Sequence, residues 1–197
     1  DGKLEAFDAV IATGSDNSEG YFDDYFGKYP HIIRKHRTSV AVITGEESKE
    51  DLKNIGRDVF DFYGLGCRNV SKLFVPKGYD LTPFFEAIFD FNPIIHHHKY
   101  ANNYDYNKAV YLMNQVPILD NNFLMLKEDE TLYSPLGVLL YEQYDSPAEL
   151  QKKLVELDKE LQVIVGKGYT DFGKSQQPEI SDFADGIDTM KFLVSLG

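Results

Sequence analysis

The chain has 197 residues, and its 20 Lys+Arg against 32 Asp+Glu leave a net charge of -12. That surplus of acid argues against binding a nucleic-acid backbone, which needs clustered positive charge to displace counterions. With 43% hydrophobic residues and a single cysteine, the expectation is a packed, soluble cytoplasmic domain without an internal disulfide. No apolar run approaches the roughly 20 residues of a membrane span, and the acid-containing start DGKLEAFDAV lacks the apolar core of a signal peptide.

In chain order, Phe7 to Ala12 reads as a strand running into the turn Thr13-Gly14-Ser15. A strand that arrives so early resembles the middle of a sheet, so the chain is expected to be a C-terminal portion of a longer protein, truncated at the N-terminus. A helix is predicted from about Ser18 to Phe26. Ser39 to Thr44 is a β-branched run expected as a buried strand. Ser48 with Asp51 three residues on opens a helix whose Leu52, Ile55, Val59 and Phe60 share a face, and Gly64-Leu65-Gly66 ends it. Leu73 to Val75 reads as a strand closed by Pro76. Thr82-Pro83 starts a short helix, and Asn103 another. Strands are expected at Phe123 to Leu126 and Val138 to Tyr141. Ser146-Pro147 with Glu149 then caps a helix carrying Leu150, Leu154, Leu157 and Leu161. Val163 to Val165 reads as a strand, and Met190 to Val194 as a segment able to pair with a sheet. This alternation predicts an α/β fold with a largely parallel sheet.

Cys67 is the first candidate for chemistry. It lies in Tyr63-Gly64-Leu65-Gly66-Cys67-Arg68-Asn69, between a helix end and a strand. Glycines beside a thiol let a substrate carbonyl approach the backbone and leave the Cys67 amide free for a developing oxyanion. Arg68 would favour the thiolate, and the C-terminus of the preceding helix would oppose it. The alternative is a small buried hydrophobe in a tight turn. Thr13, Gly14 and Ser15 form a strand-to-helix turn able to present amides to a phosphate or ribose, or an ordinary turn. Arg34-Lys35-His36-Arg37 is the one dense basic cluster, either a phosphate-binding segment or a solvated loop. His96-His97-His98 points its rings in different directions, which favours a polar loop, and no metal site is expected.

The order of these segments resembles the aldehyde dehydrogenase superfamily, where a Thr-Gly-Ser turn touches the cofactor and a Gly-x-x-Cys turn carries the nucleophile. The wording is closer to its LuxC-type acyl-CoA reductase branch in four stretches. These are Tyr25-Phe26-Gly27-Lys28-Tyr29-Pro30, Gly64 to Lys72, His98 to Asn107, and Ala184 to Leu193. The resemblance implies a three-layer α/β catalytic domain at 38–165. It also implies a remnant of the nucleotide-binding domain at 1–37 and a tail at 166–197 packing back on the sheet. It implies that Cys67 is the catalytic nucleophile and that Thr13, Gly14 and Ser15 contact the cofactor. The implied reaction is NADPH-dependent reduction of a fatty acyl-CoA to the aldehyde, without a metal, through a cysteine acyl-enzyme. The acyl donor would be a fatty acyl-CoA or an acyl-protein, and a second copy of the chain or an acyl-transferase or synthetase would be a partner. The superfamily's water-activating Glu would fall near Ile33 to Arg37, where none stands. Its ribose-gripping Glu would fall near Leu132 to Gly137, again without a clear match. As a fragment, the chain is expected to turn over little. Two rival readings are a non-catalytic subunit, for which Cys67 would be buried and unreactive, and a CoA-acylating aldehyde dehydrogenase for shorter substrates.

Overall fold

The computed structural model describes residues 7–13, 24–34 and 36–197. The expected turn residues Gly14 and Ser15, Lys35, and most of the helix predicted from Ser18 lie outside them. The described chain divides into two compact units: residues 7–37 with Glu179–Gly197, and Thr38–Pro178. Residues 166–178 thus go with the sheet of the second unit, and 179–197 with the first strands.

In the first unit, β1 (Val10–Thr13) and β2 (His31–Arg34) form a two-stranded parallel sheet. The Arg34 guanidinium closes the unit by donating to Thr189 Oγ1 at 2.9 Å and to Asp185 Oδ2 at 3.4 Å. The C-terminal segment expected to pair with a sheet is helical instead, over Thr189–Val194. The Asp188 side chain accepts the Lys191 amide at 2.9 Å, so the cap decides the backbone state before any strand partner can.

The second unit is built on six strands in the order β5-β6-β7-β4-β3-β8. They are β3 (Thr38–Val42), β4 (Val70–Pro76), β5 (Leu119–Asp120), β6 (Met125–Glu128), β7 (Val138–Tyr144) and β8 (Leu161–Val165). All pairs are parallel except the edge pair β5·β6. Every residue of β3 is buried, as a central strand covered on both faces requires. On one face pack α1 (Lys49–Phe60), α2 (Thr82–Ala87) and α3 (His98–Met113), through residues such as Ile55, Phe84, Ile88 and Tyr104. On the other, Leu150 and Leu154 of α4 (Pro147–Glu156) meet Val40, Val42 and Phe74. The architecture is therefore three-layer α/β with a mostly parallel sheet.

The capping box at Ser48 forms as the sequence indicates: Ser48 Oγ accepts the Asp51 amide and the Asp51 carboxylate accepts the Ser48 amide. Among the boundaries that differ from expectation, three have a local cause. The Phe123 and Leu124 amides donate to Asn121 Oδ1, at 3.2 and 2.9 Å, and this turn delays β6 to Met125. α3 starts at His98 instead of Asn103, because a 3-10 stretch at Phe89–His96 feeds directly into it. α4 stops at Glu156, so Leu161 of the expected helical stripe opens β8 instead.

Candidate functional site

The α1 helix runs out at Phe60 and the chain turns through Asp61–Gly64, with Phe62 (φ 54°) and Tyr63 (φ 59°) both left-handed. Left-handed backbone is costly for residues carrying a Cβ and persists only where surrounding contacts impose it. Asn69 braces the chain on either side of these two residues. Its Nδ2 donates to the carbonyls of Asp61 at 2.7 Å, Asp58 at 3.1 Å and Val59 at 3.3 Å, satisfying the open C-terminal end of α1. Its Oδ1 accepts the Gly66 amide at 2.8 Å, and its own amide donates to the Gly66 carbonyl at 2.9 Å. Cys67 and Arg68 are the central residues of the turn thus closed. The Ser39 hydroxyl fixes it from below by donating to the Cys67 carbonyl at 2.9 Å.

Cys67 is exposed and unpaired at this turn, immediately before β4. The reading of Cys67 as a small buried hydrophobe is corrected, since a rigid turn stands proud of the strand it enters. Among the described residues, its amide has no hydrogen-bond partner. Arg68, expected to favour the thiolate, donates Nη1 to the Ser175 carbonyl at 2.9 Å and so ties the turn to the chain that follows β8. That chain is held along α1 by Asp58, whose carboxylate accepts the amides of Gly173 at 2.6 Å and Ser175 at 3.0 Å. Burial pushes the Asp58 carboxyl above its ordinary range, and the two amide bonds partly oppose that push.

Thr13 ends parallel strand β1, opposite Arg34. The carboxyl end of a parallel strand is where nucleotide cofactors bind in open α/β sheets, and Thr13 stands at such an end. The structure describes Thr13 in the first unit and Cys67 in the second. Of the basic cluster, Arg34 is committed to Asp185 and Thr189. The three histidines fall at the junction of the 3-10 stretch with α3, where His97 stacks on Tyr63 with ring centroids 4.0 Å apart. Among the described residues, no group of three His, Cys, Asp or Glu side chains is gathered to hold a metal, and no helix is long and apolar enough to cross a membrane. Beside the strained turn, Phe60, Phe62, Tyr63, Phe91, Ile94 and His97 line an open cavity of about 570 Å³.

Sequence reasoning singled out Cys67 but missed Asn69 and Asp58, which anchor its turn and the chain that follows β8. Asn69, two residues after the cysteine, carried a signal as a residue able to cap a helix end. Asp58 carried one as an acid on the apolar face of α1.

No protein-family profile matches the chain, and no curated protein matches it by sequence. Solved structures match it by fold. A NAD-dependent aldehyde dehydrogenase from Sinorhizobium meliloti superimposes with a TM-score of 0.54 at 11% identity, over 85% of this chain and 40% of that one. An indole-3-acetaldehyde dehydrogenase of P. syringae, in complex with NAD+ and IAA, gives 0.57 at 11% identity, over 96% and 43%. An NAD+ complex of an aldehyde dehydrogenase from Bacillus cereus gives 0.55 at 12% identity, over 83% and 40%. The chain has the fold of part of an aldehyde dehydrogenase. It spans about 40% of the length of the structures it matches.

Proposed function

We propose that the chain is the catalytic portion of an NADPH-dependent acyl-CoA reductase, with Cys67 as the nucleophile. One observation carries the reading: the single cysteine stands exposed on a clamped, glycine-flanked turn within an aldehyde-dehydrogenase-like fold. The Cys67 thiolate attacks the carbonyl carbon of a fatty acyl thioester. The new C–S bond forms as the bond to the CoA sulfur breaks, and CoA leaves as the thiolate. A nicotinamide cofactor would supply the hydride that turns the acyl-enzyme into aldehyde, and Thr13 would be among the residues that contact that cofactor. Cys67 is then released as thiolate for the next round. The segment Ile33–Arg37 has no Glu to activate water, which suits transfer between thiols better than oxidation to a free acid.

Intact-mass analysis of the natural full-length protein, after incubation with tetradecanoyl-CoA and no nicotinamide, tests this. The expected result is one acyl adduct that maps to Cys67, is absent from Cys67→Ala, and disappears on adding NADPH. No adduct at a Cys67 that iodoacetamide alkylates readily would sink the acyl-CoA reading. An inert Cys67 would favour the non-catalytic subunit, although the exposed thiol speaks against that rival.

A further inference from the structure

The cavity beside the strained turn is not used by the chemistry assigned to Cys67. Its volume of about 570 Å³ lies within the range of small-molecule sites, about 300–1,000 Å³. Most of the residues that line it carry aromatic rings, and two pairs of these rings are stacked on each other. Phe60 lies on Phe91 with centroids 5.3 Å apart and 26° between the planes, and Tyr63 lies on His97 at 4.0 Å and 25°. Gly56 makes room for the first pair, because a Cβ there would come within 2.5 Å of the Phe91 ring. Phe62 adds a further ring, held in left-handed backbone and largely exposed. The charges in the wall are the carboxylates of Asp61 and Asp90, and neither Lys nor Arg lines it. Asp90 is occupied by Lys53 at 2.6 Å. The half-buried Asp61 carboxylate has no hydrogen-bond or ion-pair partner among the described residues.

We propose that this cavity binds a small organic ammonium ion, drawn to the Asp61 carboxylate and to the faces of the surrounding rings. An apolar ligand would strip water from Asp61 and return no partner. An anion would meet two carboxylates with no cation in the wall to offset them. A bare metal ion needs several oxygen or nitrogen ligands, and among the described residues no such group is gathered. An alkylammonium ion suits both features of the wall at once: its charge pairs with the carboxylate, and the negative faces of aromatic rings attract its methyl or methylene shell. Rings that are already stacked lose little freedom when a ligand settles on them. The chain's net charge of -12 raises the local concentration of cations in the same direction. No residue of the Gly66–Asn69 turn lines the cavity, so the site stands independently of the reading of Cys67 as a nucleophile.

The probe is choline, titrated calorimetrically into the natural full-length protein, with 3,3-dimethylbutan-1-ol as its uncharged counterpart of the same shape. Choline is expected to bind with a Kd of about 1 mM or tighter, and the alcohol about tenfold more weakly or less. Asp61→Asn keeps the side-chain shape and the main-chain carbonyl that Asn69 holds. It should weaken choline by about tenfold and leave the alcohol unchanged. Phe62→Leu, at an exposed position, should weaken choline by about threefold and stands in if Asp61→Asn fails to fold. Three results would overturn the proposal: no binding of choline, an alcohol that binds as tightly, or a choline affinity that neither variant alters. Cys67→Ala should bind choline as the wild type does, so the loss of the acyl-enzyme reading would leave this site standing. Displacement of choline from Cys67→Ala by tetradecanoyl-CoA would also overturn it, by making the cavity part of the path of the acyl substrate.

Discussion

Asn69 accepts the Gly66 amide through Oδ1 at 2.8 Å, three residues back along the chain, while the Nδ2 of the same side chain closes the end of α1. One planar amide thus welds the turn bearing Cys67 to the helix that precedes it. The position of the thiol is therefore set by α1 and the amino end of β4 together.

Asn69→Ala removes the three carbonyl bonds and the bond from Gly66 at once. With a net worth of about 1 kcal/mol per bond, and more where a buried group is left unpaired, a loss of about 3 kcal/mol is expected in urea unfolding. Asn69→Asp is the sharper variant, because it keeps the shape and the acceptor but donates nothing to the helix carbonyls and faces them with charge. It should be at least as destabilising as Ala. An Asp variant as stable as wild type would show that the carbonyl bonds contribute little.

Asp58 gives the chain a pH dependence on the acid side. Burial raises its folded pKa above the ordinary 3.8, so between 3.8 and that raised value the folded state holds a proton the unfolded state has released. Across that window this group makes stability fall as pH rises and recover as pH falls. Asp58→Asn should flatten the window in urea titrations at a series of pH values. It should also cost about 1–3 kcal/mol at neutral pH, because an Asn amide group cannot replace both carboxylate acceptors for Gly173 and Ser175. An unchanged pH slope would assign the effect to another carboxylate.

Lys72 and Glu142 form an asymmetric pair. The Lys72 ammonium is fully buried and donates to Glu142 at 2.5 Å and to the Glu130 carbonyl at 2.8 Å, while Glu142 also bonds Lys153. Burial pushes the Lys72 pKa down. Glu142→Gln leaves a buried cation uncompensated and is expected to cost about 3–5 kcal/mol. Lys72→Met removes that cation, leaves Glu142 its partner Lys153, and should cost far less. Chemical denaturation of the two variants reads the difference; equal losses would show that the pair itself, not the orphaned charge, sets the energy.

Phe62 is left-handed and 69% exposed. A side chain with a Cβ in that conformation costs about 1–2 kcal/mol, and Asn tolerates it better. Phe62→Asn should therefore raise the melting temperature even though it removes an aromatic ring from the cavity wall. A lower melting temperature would mean that the ring packs more tightly than its exposure indicates.

Much of the fold was legible locally. The Ser48–Asp51 box, the helix spacing of Leu52, Ile55 and Val59, and the β-branched run of β3 are fixed by residues within a turn of one another, and they formed as read. The candidate nucleophile was legible too, as the one cysteine, set among glycines where a helix gives way to a strand. Other local patterns were ambiguous: Met190 to Val194 is apolar enough for a strand, and the Asp188 cap made it helical.

What the sequence could not decide are the relationships that cross the sheet. Asp58 and Ser175 are 117 residues apart, and Arg68 and Ser175 107. They meet because β8 takes its place beside β3, so that the chain leaving β8 can return along α1. Periodicity encodes which face of an element is apolar, but it carries no record of strand order. The exposure of Cys67 and the anchoring of its turn follow from that order, so only the tertiary structure could supply them.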